Sequence, residues 1–290
     1  MAIRSGWAYH FFIPGREGSS ALTTGMSRLL LVLGCLLGLT GCASLAEQAK
    51  QRAIAGGLRS EVLTAIPFHL QSFQRTPRDP AVLHIYIEGD GRPWLAHGRY
   101  VSADPTPDRT PALDWLLQDK DGALYLGRPC YFNTDASPPC SARLWTLGRY
   151  SEEVVASMAV ALQGWLAQQP VPPRQVKLVG YSGGGVLAVL VAERVSAVTS
   201  VLAIAAPLDI DAWSRAHGYS LLTDSINPAT QRQWRDGVRR QLVLGQRDDN
   251  VPLATLTSAL AAIPIELTVI PGEDHHCCRW SVLQQWLVRE

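Results

Sequence analysis

Val176-Lys177-Leu178-Val179-Gly180-Tyr181-Ser182-Gly183-Gly184-Gly185-Val186-Leu187 is the stretch from which the rest of the chain can be read. Its first four residues have the apolar, partly β-branched character of a short buried strand. Gly180, Ser182 and Gly184 then make a G-x-S-x-G turn, and the apolar residues after Gly185 open a helix. A strand that folds into a helix within so few residues brings two backbones too close for side chains at the flanking positions, which is why those positions are glycine. The helix N-terminus behind the serine presents unpaired N–H groups and positive potential, a setting for a developing oxyanion. The bare triplet has little specificity; its place between a strand and a helix gives it weight.

A serine hydroxyl is a weak nucleophile until a base takes its proton, so the turn demands a histidine and a carboxylate that orients it. Both follow, at the ends of later apolar runs. Residues 241–244 lead into Gly245-Gln246-Arg247-Asp248-Asp249-Asn250-Val251-Pro252, and residues 266–270 lead into Pro271-Gly272-Glu273-Asp274-His275-His276. Asp249 and His276 are adjacent alternatives, and Asp209, just past the run 201–205, is a further carboxylate. The competing reading of the Asp-Asp-Asn-Val-Pro stretch is a turn with a helix cap. A zinc site drawn from His275, His276, Cys277 and Cys278 would crowd four ligands into four consecutive residues, which cannot wrap a tetrahedral ion without other ligands.

Outward from these loops, β-rich runs at 82–87, 176–179, 201–205, 241–244 and 266–270 alternate with helical spacing at 151–168, 185–195 and 252–262. The alternation predicts an α/β fold, a doubly wound and mainly parallel sheet covered on both faces. Ser151 stands where it would cap the helix that begins at Glu152-Glu153, and Pro170 closes it. The polar, Trp-containing residues 209–240 are expected to form a cap-like excursion over the carboxyl edge of the sheet, before the acid-bearing strand.

The G-x-S-x-G turn, the acid loop in the form G-x-x-D-x-x-V-P, the G-x-x-H loop and the leading strand together resemble the α/β-hydrolase superfamily over residues 65–290. The resemblance implies Ser182 as nucleophile, Asp248 as acid and His275 as base. It also implies an oxyanion site from the backbone N–H groups of Gly183 and Asp90, with Gly91 next in line. Glu88-Gly89-Asp90-Gly91 occupies the place of a His-Gly oxyanion loop, with Glu88 where the histidine would stand. The chemistry implied is cleavage of an ester or related acyl bond in a small-molecule or lipid substrate, with no cofactor. The alternative is a binding or scaffolding protein that keeps the fold without turnover, since fold alone does not fix function. More narrowly, Glu88-Gly-Asp-Gly, Ser225-Ile-Asn-Pro and His275-His-Cys-Cys resemble uncharacterised bacterial α/β-hydrolase lipoproteins, a likeness that names no substrate.

The N-terminal region points the same way. Ser27-Arg28, the apolar run 29–39 and Leu39-Thr40-Gly41-Cys42 have the order of a secretory signal, too short to span a bilayer, that ends in a sequence resembling a bacterial lipobox. That resemblance implies acylation of Cys42 and a membrane tether. Ala43 resembles the lipoproteins of the Gram-negative outer membrane. Residues 1–25 read as an upstream mis-start, 26–41 as signal, 42–64 as lipid attachment and tether, and 65–290 as the catalytic domain. The net charge of +1, from 26 basic and 25 acidic residues, provides no electrostatic footprint for nucleic acid. Of six cysteines, Cys130, Cys140, Cys277 and Cys278 remain after processing, and they allow three disulfide connectivities. Cys130 with Cys140 would close a short Pro-rich loop, leaving Cys277 and Cys278 as a vicinal pair, a redox couple or two thiols.

Overall fold

A computed structural model of the chain describes residues 43–96, 98–132 and 139–288. The chain divides after Ala43, and the second unit, Ser44–Glu290, contains the whole sheet. Cys42, the signal 26–41 and residues 1–25 lie outside the described residues.

In chain order the strands are β1 (Arg59–Ala65), β2 (Phe68–Gln74), β3 (Val82–Ile87), β4 (Trp94–Leu95), β5 (Tyr100–Val101), β6 (Gly122–Leu126), β7 (Gln175–Tyr181), β8 (Ser200–Ile204), β9 (Arg239–Gly245) and β10 (Glu266–Ile270). The helices are α1 (Leu45–Ala55), α2 (Pro111–Gln118), α3 (Glu152–Ala167), α4 (Gly183–Ala192), α5 (Ile210–Ala216), α6 (Thr257–Ala262) and α7 (Trp280–Val288). Eight strands form one sheet in the order β1-β2-β6-β3-β7-β8-β9-β10, while β4 and β5 make a separate hairpin. Within the large sheet β2 runs antiparallel to β1 and β6, and the remaining pairs are parallel. The doubly wound, mainly parallel sheet is therefore present.

From β3 the chain steps outward to β6, then returns past β3 to β7 and continues to β10. Right-handed crossovers place connections made in opposite directions on opposite faces. Helix α2 therefore covers one face and α3 the other, where α3 touches α4. Every residue of α4 is buried, so it shows no polar side: the sheet takes one flank and α3 the other. The reversal lies between β3 and β7, which pair directly from Val82 with Gln175 to Ile87 with Gly180. At such a point the loops leaving two neighbouring carboxyl ends part, and a crevice opens between them.

Three local expectations change. The folded unit starts before residue 65: α1 buries Ala49 and Ala53, and β1 pairs along its whole length with β2. An Ala-rich polar segment hides a packed helix because two alanines at i and i+4 suffice to seat it. Ser151 holds the N-cap position of α3 without capping, since its hydroxyl is buried and unpaired. The excursion carries α5 but ends sooner than expected, because Arg239 and Arg240 already belong to β9. Arg240 is drawn into the strand by a buried ion pair with Glu193 at 2.5 Å.

Cys130 and Cys140 are joined, as are Cys277 and Cys278. The first bond closes a loop with a sequence separation of 10, short enough that its removal should cost about 3 kcal/mol by chain entropy. A Cys130→Ser, Cys140→Ser double variant should show that loss in urea unfolding; a transition midpoint equal to the parent's contradicts it.

Candidate active site

The site is built where four parallel strands end. β7 delivers Ser182 at φ 51° and ψ −122°, a region that side chains other than glycine rarely occupy. Such a conformation costs about 1–3 kcal/mol and persists only where the surroundings enforce it. Here they do: the Ser182 N–H donates to Ile204 O of β8 at 2.7 Å. A Cβ on Gly180 would lie 2.2 Å from Gly184 O, and one on Gly184 would lie 2.3 Å from Ile87 O. The two flanking glycines are thus steric requirements of the turn.

Asp248 follows β9 and is 5% exposed. Its Oδ1 accepts the Val251 N–H at 2.7 Å, which fixes the carboxylate. His275 follows β10, and its Nδ1 lies 3.1 and 3.0 Å from the two Asp248 oxygens. To reach back toward β7 the histidine loop must cross the end of β9, and Gly245 makes room: a Cβ there would meet Asp274 O at 2.4 Å. Tyr181, next to the serine, donates its hydroxyl to His275 O at 3.0 Å, with the two rings 5.5 Å apart. The imidazole is thereby held beside the elbow.

The alternatives are engaged elsewhere. Asp249 is exposed. His276 is also exposed, with Nε2 3.2 Å from Arg109 Nη1. Asp209 caps α5 through the Ala212 N–H at 3.0 Å and accepts from Asn227 Nδ2 at 3.1 Å. Cys277 and Cys278 are buried and joined to each other, and among the described residues no group of three or more His, Cys, Asp and Glu side chains is arranged to hold a metal ion.

The loop after β3 lies against the elbow, for a Cβ on Gly89 would sit 3.5 Å from Ser182 Cβ. Among the described residues, neither the Asp90 N–H nor the Gly183 N–H donates to a protein acceptor. Gly91 has φ 65°, and a Cβ there would strike Pro105 O at 2.1 Å.

No protein-family model matches the chain, and no curated protein matches its sequence. Solved structures do. An esterase from Pyrococcus furiosus superposes with a TM-score of 0.57 at 13% identity, covering 86% of this chain and 92% of its own. A bacterial membrane phospholipase A, described as a virulence factor, gives 0.55 at 15% identity over 89% and 92%. A puromycin hydrolase gives 0.54 at 15% over 79% of this chain and 37% of its own. The chain has the α/β-hydrolase fold.

On this α/β-hydrolase frame the sequence reading gave Asp90 only a backbone role, whereas its side chain anchors a charged network. Arg128 Nη1 donates to Asp90 Oδ1 at 2.7 Å, and Arg149 Nη1 to Oδ2 at 3.0 Å. The Tyr150 hydroxyl adds a third bond to Oδ2 at 2.5 Å, and the Tyr131 hydroxyl donates to Asp90 O at 2.9 Å. Burial by itself would raise the Asp90 carboxyl, but Arg149, Arg128 and Tyr150 together outweigh it and hold it at about 2. Nothing in the local sequence around Arg128 or Arg149 announces this, because the contacts arise only when β3, β6 and α3 come together.

Glu88 does not face the elbow as an oxyanion-loop histidine would. Its carboxyl accepts the Ala112 N–H at 3.2 Å at the start of α2 and its own neighbour's, Gly89, at 3.1 Å. Burial pushes it from 4.5 up to about 8, although those N–H groups work the other way. A carboxyl with a raised folded-state value stabilises the protonated form, so its contribution is complete below pH 4.5 and is lost as pH climbs to about 8. Glu88→Gln should therefore gain stability relative to the parent between pH 5 and pH 8, measured by urea unfolding at both; a difference independent of pH contradicts this.

Proposed function

We propose that the protein is a serine hydrolase that cleaves an ester or related acyl bond through an acyl-enzyme on Ser182. The observation that carries the reading is the buried Asp248 carboxylate gripping His275 Nδ1, with the imidazole ring 5.5 Å from that of Tyr181, the residue that precedes a serine in the left-handed region of a glycine elbow. A carboxylate on Nδ1 fixes the tautomer that leaves Nε2 free to take a proton, and it stabilises the imidazolium that results.

Ser182 Oγ would add to the substrate carbonyl as His275 Nε2 removes its proton. The oxyanion so formed would be met by the Gly183 and Asp90 N–H groups, which have no other acceptor among the described residues. Collapse would expel the alcohol, protonated by His275, and water activated by the same nitrogen would release the acid and restore the serine. No step in this sequence draws on a cofactor. The likeness of the fold to an esterase and to a phospholipase A supports an acyl substrate, small or lipid.

Leu39-Thr40-Gly41-Cys42 and the apolar run before it support a lipid tether at Cys42 and a place in the cell envelope, at the outer membrane of a Gram-negative bacterium. None of the described helices is long and apolar enough to cross a membrane.

Ser182→Ala should reduce turnover of p-nitrophenyl esters by about 10³-fold or more while leaving the thermal transition in place. Substantial hydrolysis by the folded variant contradicts the assignment, and a folded parent inert across a chain-length series of esters favours the binding-lipoprotein alternative.

A further inference from the structure

Two guanidiniums converge on one carboxylate beside the proposed nucleophile. Arg128 comes from the segment after β6 and Arg149 from the segment before α3, with side chains only 2% and 7% exposed. The Asp90 carboxylate they share reaches the elbow itself: a Cβ built on Gly183 would lie 2.0 Å from Asp90 Oδ1 and 2.6 Å from the Tyr150 hydroxyl. Among the described residues, the ion pairs of this cluster set two guanidiniums against one carboxylate. Among the described residues neither arginine pairs with any other carboxylate.

This arrangement is costly for a loop brace. Burying a guanidinium is expensive even when it is paired, and apolar side chains hold a loop as well. Here Arg128 Nε is also buried without a partner. At the elbow that cost has a return. A carboxylate alone in contact with Gly183 would oppose a negative charge growing at that amide, whereas the carboxylate with both arginines attracts one. The arginines are bonded to backbone as well as to Asp90: Arg128 Nη2 to Arg149 O at 2.9 Å and Arg149 Nε to Thr146 O at 2.8 Å. The charges are therefore held in place before any substrate arrives.

We propose that Arg128 and Arg149 are positioning residues which, acting through Asp90, reverse the sign of the charge beside the oxyanion site and so stabilise the tetrahedral anion formed at Ser182. The proposal rests on the serine-hydrolase reading. It adds two residues that touch no reacting atom.

The test uses the full chain in detergent and an aryl trifluoromethyl ketone. Ser182 Oγ adds to that ketone's carbonyl carbon, the carbonyl π pair becomes an oxyanion, and the serine proton passes to His275. Arg149→Gln should weaken this adduct and lower kcat for p-nitrophenyl esters by roughly tenfold or more, with KM within about threefold of the parent. Arg149→Lys, which keeps the charge, should recover most of both losses. Parent-like adduct affinity in folded Arg149→Gln overturns the proposal, as do equal losses in the Gln and Lys variants. An Arg149→Lys loss as large as tenfold also overturns it, and that variant keeps the proposal falsifiable where Arg149→Gln does not fold. A parent that forms no adduct overturns the serine reading itself, a failure separate from one confined to the variants.

Discussion

A Cβ on Gly180 would come within 2.2 Å of the Gly184 carbonyl oxygen, and the whole site depends on that approach. With no side chains to keep them apart, β7 and α4 meet at an angle that forces Ser182 to φ 51° and lifts it above the sheet edge. The same contact places the first N–H groups of a fully buried helix directly behind the serine. A helix buried on all sides cannot shift to relieve the strain, so the energy stored at Ser182 is carried by the packing of α4 on β7, β8 and α3.

A second constraint acts from the neighbouring strand. β3 and β7 are register partners up to Ile87 and Gly180, so the loop after β3 must emerge against the elbow. What that loop does there is decided by the charges around it. Glu88 turns into the protein to meet the start of α2, and Asp90 is clamped by two buried arginines. One loop thus carries two acidic residues in opposite states, a neutral-leaning Glu88 with its carboxyl raised to about 8 and an ionised Asp90 held at about 2. Their difference follows from partners: backbone N–H groups alone for Glu88, full positive charges for Asp90.

The parts of the fold legible in the sequence were those whose signal is local. β3 and β10 stand on the residues expected from their apolar runs, and β7, β8 and β9 within two residues of them. The strands that escaped notice have mixed composition. β2 is Phe-His-Leu-Gln-Ser-Phe-Gln, and it buries Gln71, Ser72 and Gln74 because β1 and Trp165 supply their hydrogen bonds, among them Gln71 Nε2 to Ser60 Oγ at 3.0 Å and Trp165 Nε1 to Gln74 Oε1 at 2.6 Å. β6 is Gly-Ala-Leu-Tyr-Leu, with no β-branched residue to announce it. The resemblance of the acid and histidine loops to the α/β-hydrolase pattern singled out Asp248 and His275, and the structure pairs them. The Arg128, Arg149 and Tyr150 cluster was invisible for a different reason. Its members are scattered along the chain, and a lone buried arginine has the same sequence signature as an exposed one.

The central claim is that Ser182 is an activated nucleophile. Reacting the folded full chain with a fluorophosphonate, digesting it and locating the adduct by mass spectrometry tests this most directly. The account predicts a single phosphonylated site on the peptide that carries Ser182, with His276→Ala labelled as fast as the parent and His275→Ala not labelled. A folded parent that stays unmodified, or whose adduct lies on another residue, contradicts it.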